Sequence, residues 1–214
     1  MMTSLMRCVR CNGWIRHAGY SGFILFLLAV SALGEDAAKL REKAQGRLIE
    51  ARRLAASYKI DKAAEKARDA LKDDPSLAEA HVYLGMERFR AGALDAAQSE
   101  FERALELDRY QAAAHCQLAY VFYQQGKLED ATDHWNLSAR LDSTSPQTLA
   151  GIALAQFKHG QEEEASRTFQ KVLMYDRRFA DAKFFAGENG PKWTGQLLED
   201  FQAMVGKVGK SGGF

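Results

Sequence analysis

Apolar positions along most of the chain recur at the spacing of an α-helix, three or four residues apart. Val82, Met86 and Phe89 show this spacing, and so do Phe101 and Leu105. Side chains at this spacing lie on one face of a helix, so each stretch predicts a helix with one buried face. Polar stretches separate these helices. The pattern therefore predicts an all-α chain.

The helical pattern repeats every 34 residues from residue 44 to residue 179, without insertion or deletion. The four copies are residues 44–77, 78–111, 112–145 and 146–179. A glycine column predicts a turn between the two helices of a copy, because glycine readily takes the positive φ that ends a helix. The columns that define the register are glycine at Gly92, Gly126 and Gly160; small residues at Ala51, Gly85, Ala119 and Ala153 and at Ala63, Ala97, Ala131 and Ala165; and larger residues at Phe101, Trp135 and Phe169.

The small and large columns predict how the helices pack. Small side chains at Gly85 and Ala97 would let the two helices of a hairpin approach closely. The large residue four positions after Ala97, which is Phe101, would then fill the space between neighbouring hairpins. A bulky residue at Gly85 is therefore expected to force two helices apart.

A period of 34 residues with this order of features resembles the tetratricopeptide repeat. The second copy matches the family pattern best, with Gly85, Ala97, Phe101 and Ala104 in place. The resemblance implies an all-α, right-handed superhelical solenoid of helix-turn-helix repeats, with a concave surface lined by the first helix of each copy and a capping helix at the carboxyl end. The family's early tryptophan is replaced by Arg47, His81, His115 and Leu149.

The amino-terminal residues 1–34 have the order of an export signal. They hold three arginines and no acidic residue, then an apolar run at residues 22–33, and then Gly34 before a strongly polar stretch. This order predicts a signal peptide that is cut between Gly34 and Glu35. The apolar run is shorter than the roughly 20 residues of a spanning helix, yet an uncleaved membrane anchor remains an alternative. Residues 35–43 are charged and predict a helical extension that leads into the first repeat.

The carboxyl end departs from the repeat. Residues 180–188 match half a further copy, and Asn189, Gly190 and Pro191 then break the helix. We expect Pro191 to start a new amphipathic helix, with a flexible tail after it, within residues 180–214. This helix either caps the open face of the last hairpin, folds back into the concave groove, or docks onto another molecule. Its predicted apolar face consists of Trp193, Leu197, Leu198, Phe201, Met204, Val205 and Val208.

Charge and motifs argue against several function classes. Lysine and arginine number 29 and aspartate and glutamate 28, so the chain lacks the positive excess typical of nucleic-acid binding. The short signatures of nucleophilic, zinc-dependent and phosphate-binding enzymes are missing, which predicts no catalytic residues and no cofactor. His81 and His115 share a column, but two ligands are too few for a structural zinc, so no metal site is predicted.

The concave groove is the remaining candidate site. In many tetratricopeptide-repeat proteins it holds a terminal carboxylate through basic side chains, but here only Arg52 has suitable chemistry at those columns. The first helices instead present an apolar and aromatic stripe, which suits an amphipathic or apolar protein segment. The alternative is that these side chains pack between hairpins and expose little. The predicted groove residues are Val82, Met86, Phe89, Cys116, Tyr120, Tyr123, Leu154 and Phe157.

Together these features predict an exported scaffold, in the periplasm or cell envelope, that binds a protein partner in its groove during assembly of an envelope complex. The alternative function is a membrane-anchored holdase or biogenesis factor. The membrane would be contacted only through an uncleaved amino-terminal segment.

Overall fold

The computed structural model describes residues 20–187 and 190–211, with side chains throughout except at residues 20–33, 182 and 209–211. The chain divides into two units between Lys43 and Ala44. The first helix, α1, spans Tyr20–Ala56, and its residues 34–43 are exposed to solvent. Within the described part of the chain, no helix combines the length and the apolar character needed to cross a membrane. Residues 1–19 of the predicted signal segment lie outside the described residues.

The second unit, from Ala44 onward, consists of helices packed in consecutive pairs. Among the residues that the structure describes, this unit contains helices and no strands, which confirms the predicted all-α solenoid. The end of α1 and the next helix form the first pair, and three further pairs follow at the predicted period. These helices are α2 (Ile60–Asp73), α3 (Ala78–Arg90), α4 (Leu94–Leu107), α5 (Ala112–Gln124), α6 (Leu128–Leu141), α7 (Pro146–Lys158) and α8 (Glu162–Tyr175).

The turns inside the pairs have the backbone conformation that the glycine column predicts. Gly92, Gly126 and Gly160 have φ of +75°, +76° and +76°. The first copy has Tyr58 in this column, also at positive φ, +56°. A side chain with a Cβ in this region costs roughly 1–2 kcal/mol, so the contacts of Tyr58 must offset this strain.

Close packing at the small and large columns is confirmed. A Cβ added at Gly85 would lie 2.4 Å from Cε1 of Phe101, and one added at Gly151 would lie 2.2 Å from Cε2 of Trp135. Phe101 and Trp135 are fully buried. Gly151 belongs to the hairpin after Trp135, so this ring fills the space between neighbouring hairpins, as predicted.

After the fourth pair come a 3₁₀ turn at Arg177–Ala180, a short helix α9 at Ala182–Ala186, and the last helix, α10, at Gly195–Ser211. The prediction that Pro191 starts the last helix is wrong. Lys192 has a φ of +55°, and the backbone N–H of Trp193 donates to the carbonyl oxygen of Phe185 at 2.7 Å. Residues 190–194 therefore form a turn, and the helix begins after them.

The predicted apolar face of the last helix is confirmed. Four of its side chains and that of Trp193, just before the helix, are at most 3% exposed, and two more are half-buried. The buried five are Trp193, Leu197, Phe201, Met204 and Val208, and the half-buried two are Leu198 and Val205.

Candidate functional site

The predicted groove residues lie on α3, α5 and α7, the first helices of the second, third and fourth pairs. Their side chains are largely withdrawn from solvent, because Met86 and Phe157 are half-buried and the other six are at most 9% exposed. The six buried residues are Val82, Phe89, Cys116, Tyr120, Tyr123 and Leu154.

The chain's own carboxyl-terminal segment covers part of this groove. The ring of Trp193 lies 4.8 Å from the ring of Tyr120, and the ammonium group of Lys207 lies 6.0 Å from the ring of Phe157. The helix α10 also contacts the last pair, because the ring of Phe201 lies 6.0 Å from that of Phe169 on α8. Two of the placements considered from the sequence therefore occur together: α10 covers the last hairpin and also lies against the first helices.

One carboxylate on α10 is bound by the groove residue Tyr123 and by Lys158, the last residue of α7. The hydroxyl of Tyr123 donates to Oδ2 of Asp200 at 2.7 Å, and Nζ of Lys158 donates to Oδ1 at 3.1 Å. Burial alone would raise the pKa of Asp200, but hydrogen bonds from Tyr123, Lys158 and Gln196 outweigh it and lower the pKa. The contacts of Asp200 therefore favour its charged form.

The lowered pKa predicts an acid-dependent contribution to stability. Because the folded-state pKa lies below the unfolded value of about 3.9, the contribution is present above that pH and is lost as the pH falls through the folded-state pKa. Urea unfolding should show Asp200→Asn less stable than wild type at pH 6, with the gap closing as the pH is lowered below about 4. A stability difference that stays constant with pH would contradict this role. In a Tyr123→Phe background, Asp200→Asn should cost less stability than it does in wild type, because one hydrogen bond to the carboxylate is already missing.

Further contacts join the carboxyl-terminal segment to the groove. Nε2 of Gln124 donates to the carbonyl oxygen of Thr194 at 2.9 Å, and Nη1 of Arg90 donates to the carbonyl oxygen of Gly190 at 2.9 Å. Gly190 is required there, since an added Cβ would lie 1.7 Å from the carbonyl oxygen of Phe184. A cavity of about 40 Å³ remains between this segment and residues that include Met86.

Sequence reasoning did not identify Tyr58 as part of this region. The ring of Tyr58 meets Phe184 edge-on at 5.2 Å, and Nε2 of Gln147 donates to its hydroxyl at 3.2 Å. The guanidinium of Arg178 lies 5.2 Å from the ring. The signal in the sequence was the break in the glycine column, where a large aromatic residue occupies a position of positive φ.

The basic position singled out for a terminal carboxylate already has a partner. Nε of Arg52 donates to Oε1 of Glu79 at 2.9 Å, and the hydroxyl of Tyr83 also donates to this carboxylate. Burial alone would raise the pKa of Glu79, but these bonds lower it. A peptide carboxylate would therefore have to compete with Glu79 for Arg52.

The two histidines of one column do not pair with each other. Nδ1 of His81 lies 2.8 Å from Oε2 of Glu100, and Nδ1 of His115 lies 3.1 Å from Nδ1 of His134. No cluster of three or more metal-binding side chains occurs within the residues that the structure describes. Burial raises the pKa of the Cys116 thiol to about 12, so this groove residue is a poor nucleophile at neutral pH.

The repeated helix pairs define a helical solenoid, and comparison with solved structures specifies which kind. No protein-family model matches the chain, and no curated protein matches it. The structure of TTC0263, a thermophilic tetratricopeptide-repeat protein of Thermus thermophilus, aligns over 78% of this chain and 90% of that one, with 18% identity and a TM-score of 0.54. Such a likeness, with the 34-residue register, shows that this chain has the tetratricopeptide-repeat fold.

Two further similar structures have lower TM-scores. YrrB, described as a tetratricopeptide-repeat protein with an unusual peptide-binding site, is 19% identical over 84% of this chain and 91% of its own, with a TM-score of 0.47. The first such domain of Spaghetti (RPAP3), bound to the HSP90 peptide SRMEEVD, is 17% identical over 64% of this chain and 94% of its own, with a TM-score of 0.48.

Proposed function

We propose that this protein is a non-enzymatic scaffold that binds a partner protein through its concave groove. The observation that carries the proposal is that the chain's own carboxyl-terminal segment covers part of the groove, with Trp193 against Tyr120 and the carboxylate of Asp200 bound by Tyr123 and Lys158. The surface thus has the shape and chemistry for an amphipathic helix such as α10. The partner would present an apolar or amphipathic segment to the same first helices.

Site-specific photo-crosslinking in the native host tests this function. A diazirine amino acid at Met86, which borders the small cavity beside Trp193, should give a discrete adduct with a partner protein. The matched control is the same amino acid at Met174, a methionine that is 84% exposed on α8. Adducts that form at Met174 and not at Met86 would contradict binding in the groove.

We also propose that the protein is exported and acts in the periplasm or cell envelope, where it assists assembly of an envelope complex. The charge, the apolar run and the small residues of segment 1–34 support this location. A membrane-anchored holdase is the second candidate. Amino-terminal sequencing of the protein from its own host separates the two, because export predicts a start at Glu35 and an anchor predicts an intact chain in the membrane fraction.

A further inference from the structure

The carboxyl-terminal segment has a small aromatic core of its own. The ring of Phe185 lies 4.6 Å from Trp193 and 4.4 Å from Phe201, and Trp193 lies 5.0 Å from Phe201. These three residues come from α9, the connecting turn and α10. Part of the apolar packing of α10 is therefore internal to the carboxyl-terminal segment.

The groove contacts of α10 are of a different kind. Near its start one ring, Trp193, meets Tyr120, and one backbone carbonyl, that of Thr194, accepts from Gln124. One turn after the helix begins, Asp200 accepts from both Tyr123 and Lys158. Further along, Lys207 pairs with Glu162 at the start of α8, beside the groove, and this pair is about half exposed. A partner helix can replace these contacts if it supplies an aromatic ring, a carbonyl oxygen, a carboxylate and an ammonium group at the same places.

Without α10 the groove presents two hydrogen-bond donors to an occupant. The hydroxyl of Tyr123 and the ammonium group of Lys158 both donate to one carboxylate, and the Tyr123 side chain is buried whereas that of Lys158 is 37% exposed. An occupant that covers the Tyr123 hydroxyl without an acceptor would leave this buried donor unpaired, so a carboxylate that accepts from Tyr123 and pairs with Lys158 is favoured, in addition to an apolar face. The groove therefore selects for an acidic residue on an amphipathic helix, which is a narrower requirement than an apolar segment.

We propose that α10 is an exchangeable occupant of the groove, displaced by a partner's amphipathic helix that carries a carboxylate in the place of Asp200. This inference rests on the proposed function. The groove is closed in the free protein, and the apparent affinity for a partner is reduced by the fraction of molecules in which α10 has left.

The test weakens α10 in the full chain and leaves the first helices unchanged. Asp200→Lys places an ammonium group against Lys158, whereas Glu199→Lys makes the same charge change at an exposed neighbouring residue and serves as the control. The probe is a fluorescent peptide of residues 190–211, measured by anisotropy. Hydrogen–deuterium exchange follows α10 and the repeats separately.

Asp200→Lys should speed exchange in α10 alone and tighten peptide binding by about tenfold or more, because more molecules have an open groove. Glu199→Lys should match wild type in both measurements. Lys207→Glu, which opposes Glu162 at the helix end, should tighten binding to a smaller extent. A peptide with lysine at the position of Asp200 should bind the opened groove more weakly than the native peptide does.

Two results would overturn the inference. If exchange rises throughout the repeats in Asp200→Lys, α10 is an integral part of the fold and does not exchange. If α10 alone becomes mobile and the peptide affinity stays at the wild-type value, the groove does not select an acidic helix. In either case a Met86 adduct in the host would show that the proposed function holds without displacement, and its absence would show that both fail.

Discussion

Replacing Trp135 by alanine should lower the free energy of unfolding by about 3–5 kcal/mol, the range for deleting a large aromatic side chain from a core. The Trp135 ring is fully buried and lies 5.1 Å from the ring of Tyr120 and 5.9 Å from that of Tyr123. It also fills the space above Gly151, which has no side chain with which to close the resulting cavity. Loss of Trp135 therefore removes contacts within one hairpin and to the next.

Urea titration at constant pH measures this effect. Asn136→Ala is the matched control, since it changes the exposed neighbour of Trp135 on α6 and should move the midpoint little. A Trp135→Ala protein with the wild-type midpoint would mean that the third and fourth pairs do not depend on this ring.

Gly85→Leu should cost about 3 kcal/mol or more, at the upper end of the effect of overpacking. Even the Cβ of the new residue would lie 2.4 Å from the buried ring of Phe101, so α3 and α4 must separate. Gly46→Leu is the control, because nothing lies within 4 Å of a Cβ at residue 46. It should stabilise α1 slightly, since leucine is a better helix former than glycine.

Thermal unfolding of both variants distinguishes the effect of the position from the effect of introducing a leucine. If both leucines had the same effect, the loss would come from introducing leucine and not from the position. A melting temperature unchanged in Gly85→Leu would contradict the packing of Phe101 against this helix.

The sequence was sufficient to predict the repeated part of the fold because each copy is built from local contacts. Positive φ at Gly126 or a small residue opposite Phe101 follows from features within one or two copies. The same columns recur four times, so a departure in one copy does not hide the register. The buried face of α10 was predicted for the same reason, because its periodicity is contained in one helix.

The candidate site was predictable only in part, because its contacts join residues far apart in sequence. Tyr123 and Asp200 are separated by 77 positions, and no local pattern relates a hydroxyl on one helix to a carboxylate on another. The groove residues were assigned to the correct helices, and their use by a partner stays a prediction. The predicted start of α10 at Pro191 was wrong. The hydrogen bond from the N–H of Trp193 to the carbonyl of Phe185 is a tertiary contact, and it overrides the preference of proline for the first turn of a helix.

The position of Tyr58 has a consequence for how this chain can evolve and fold. In an ordinary array of repeats each unit touches only its neighbours, so units can be gained or lost and folding can spread from any of them. Here Gln147 of the fourth copy donates to Tyr58 of the first, across 89 positions. An inserted copy would separate these two side chains and would remove this bond. The tie between the first and last copies also favours unfolding as one cooperative unit over fraying from one end.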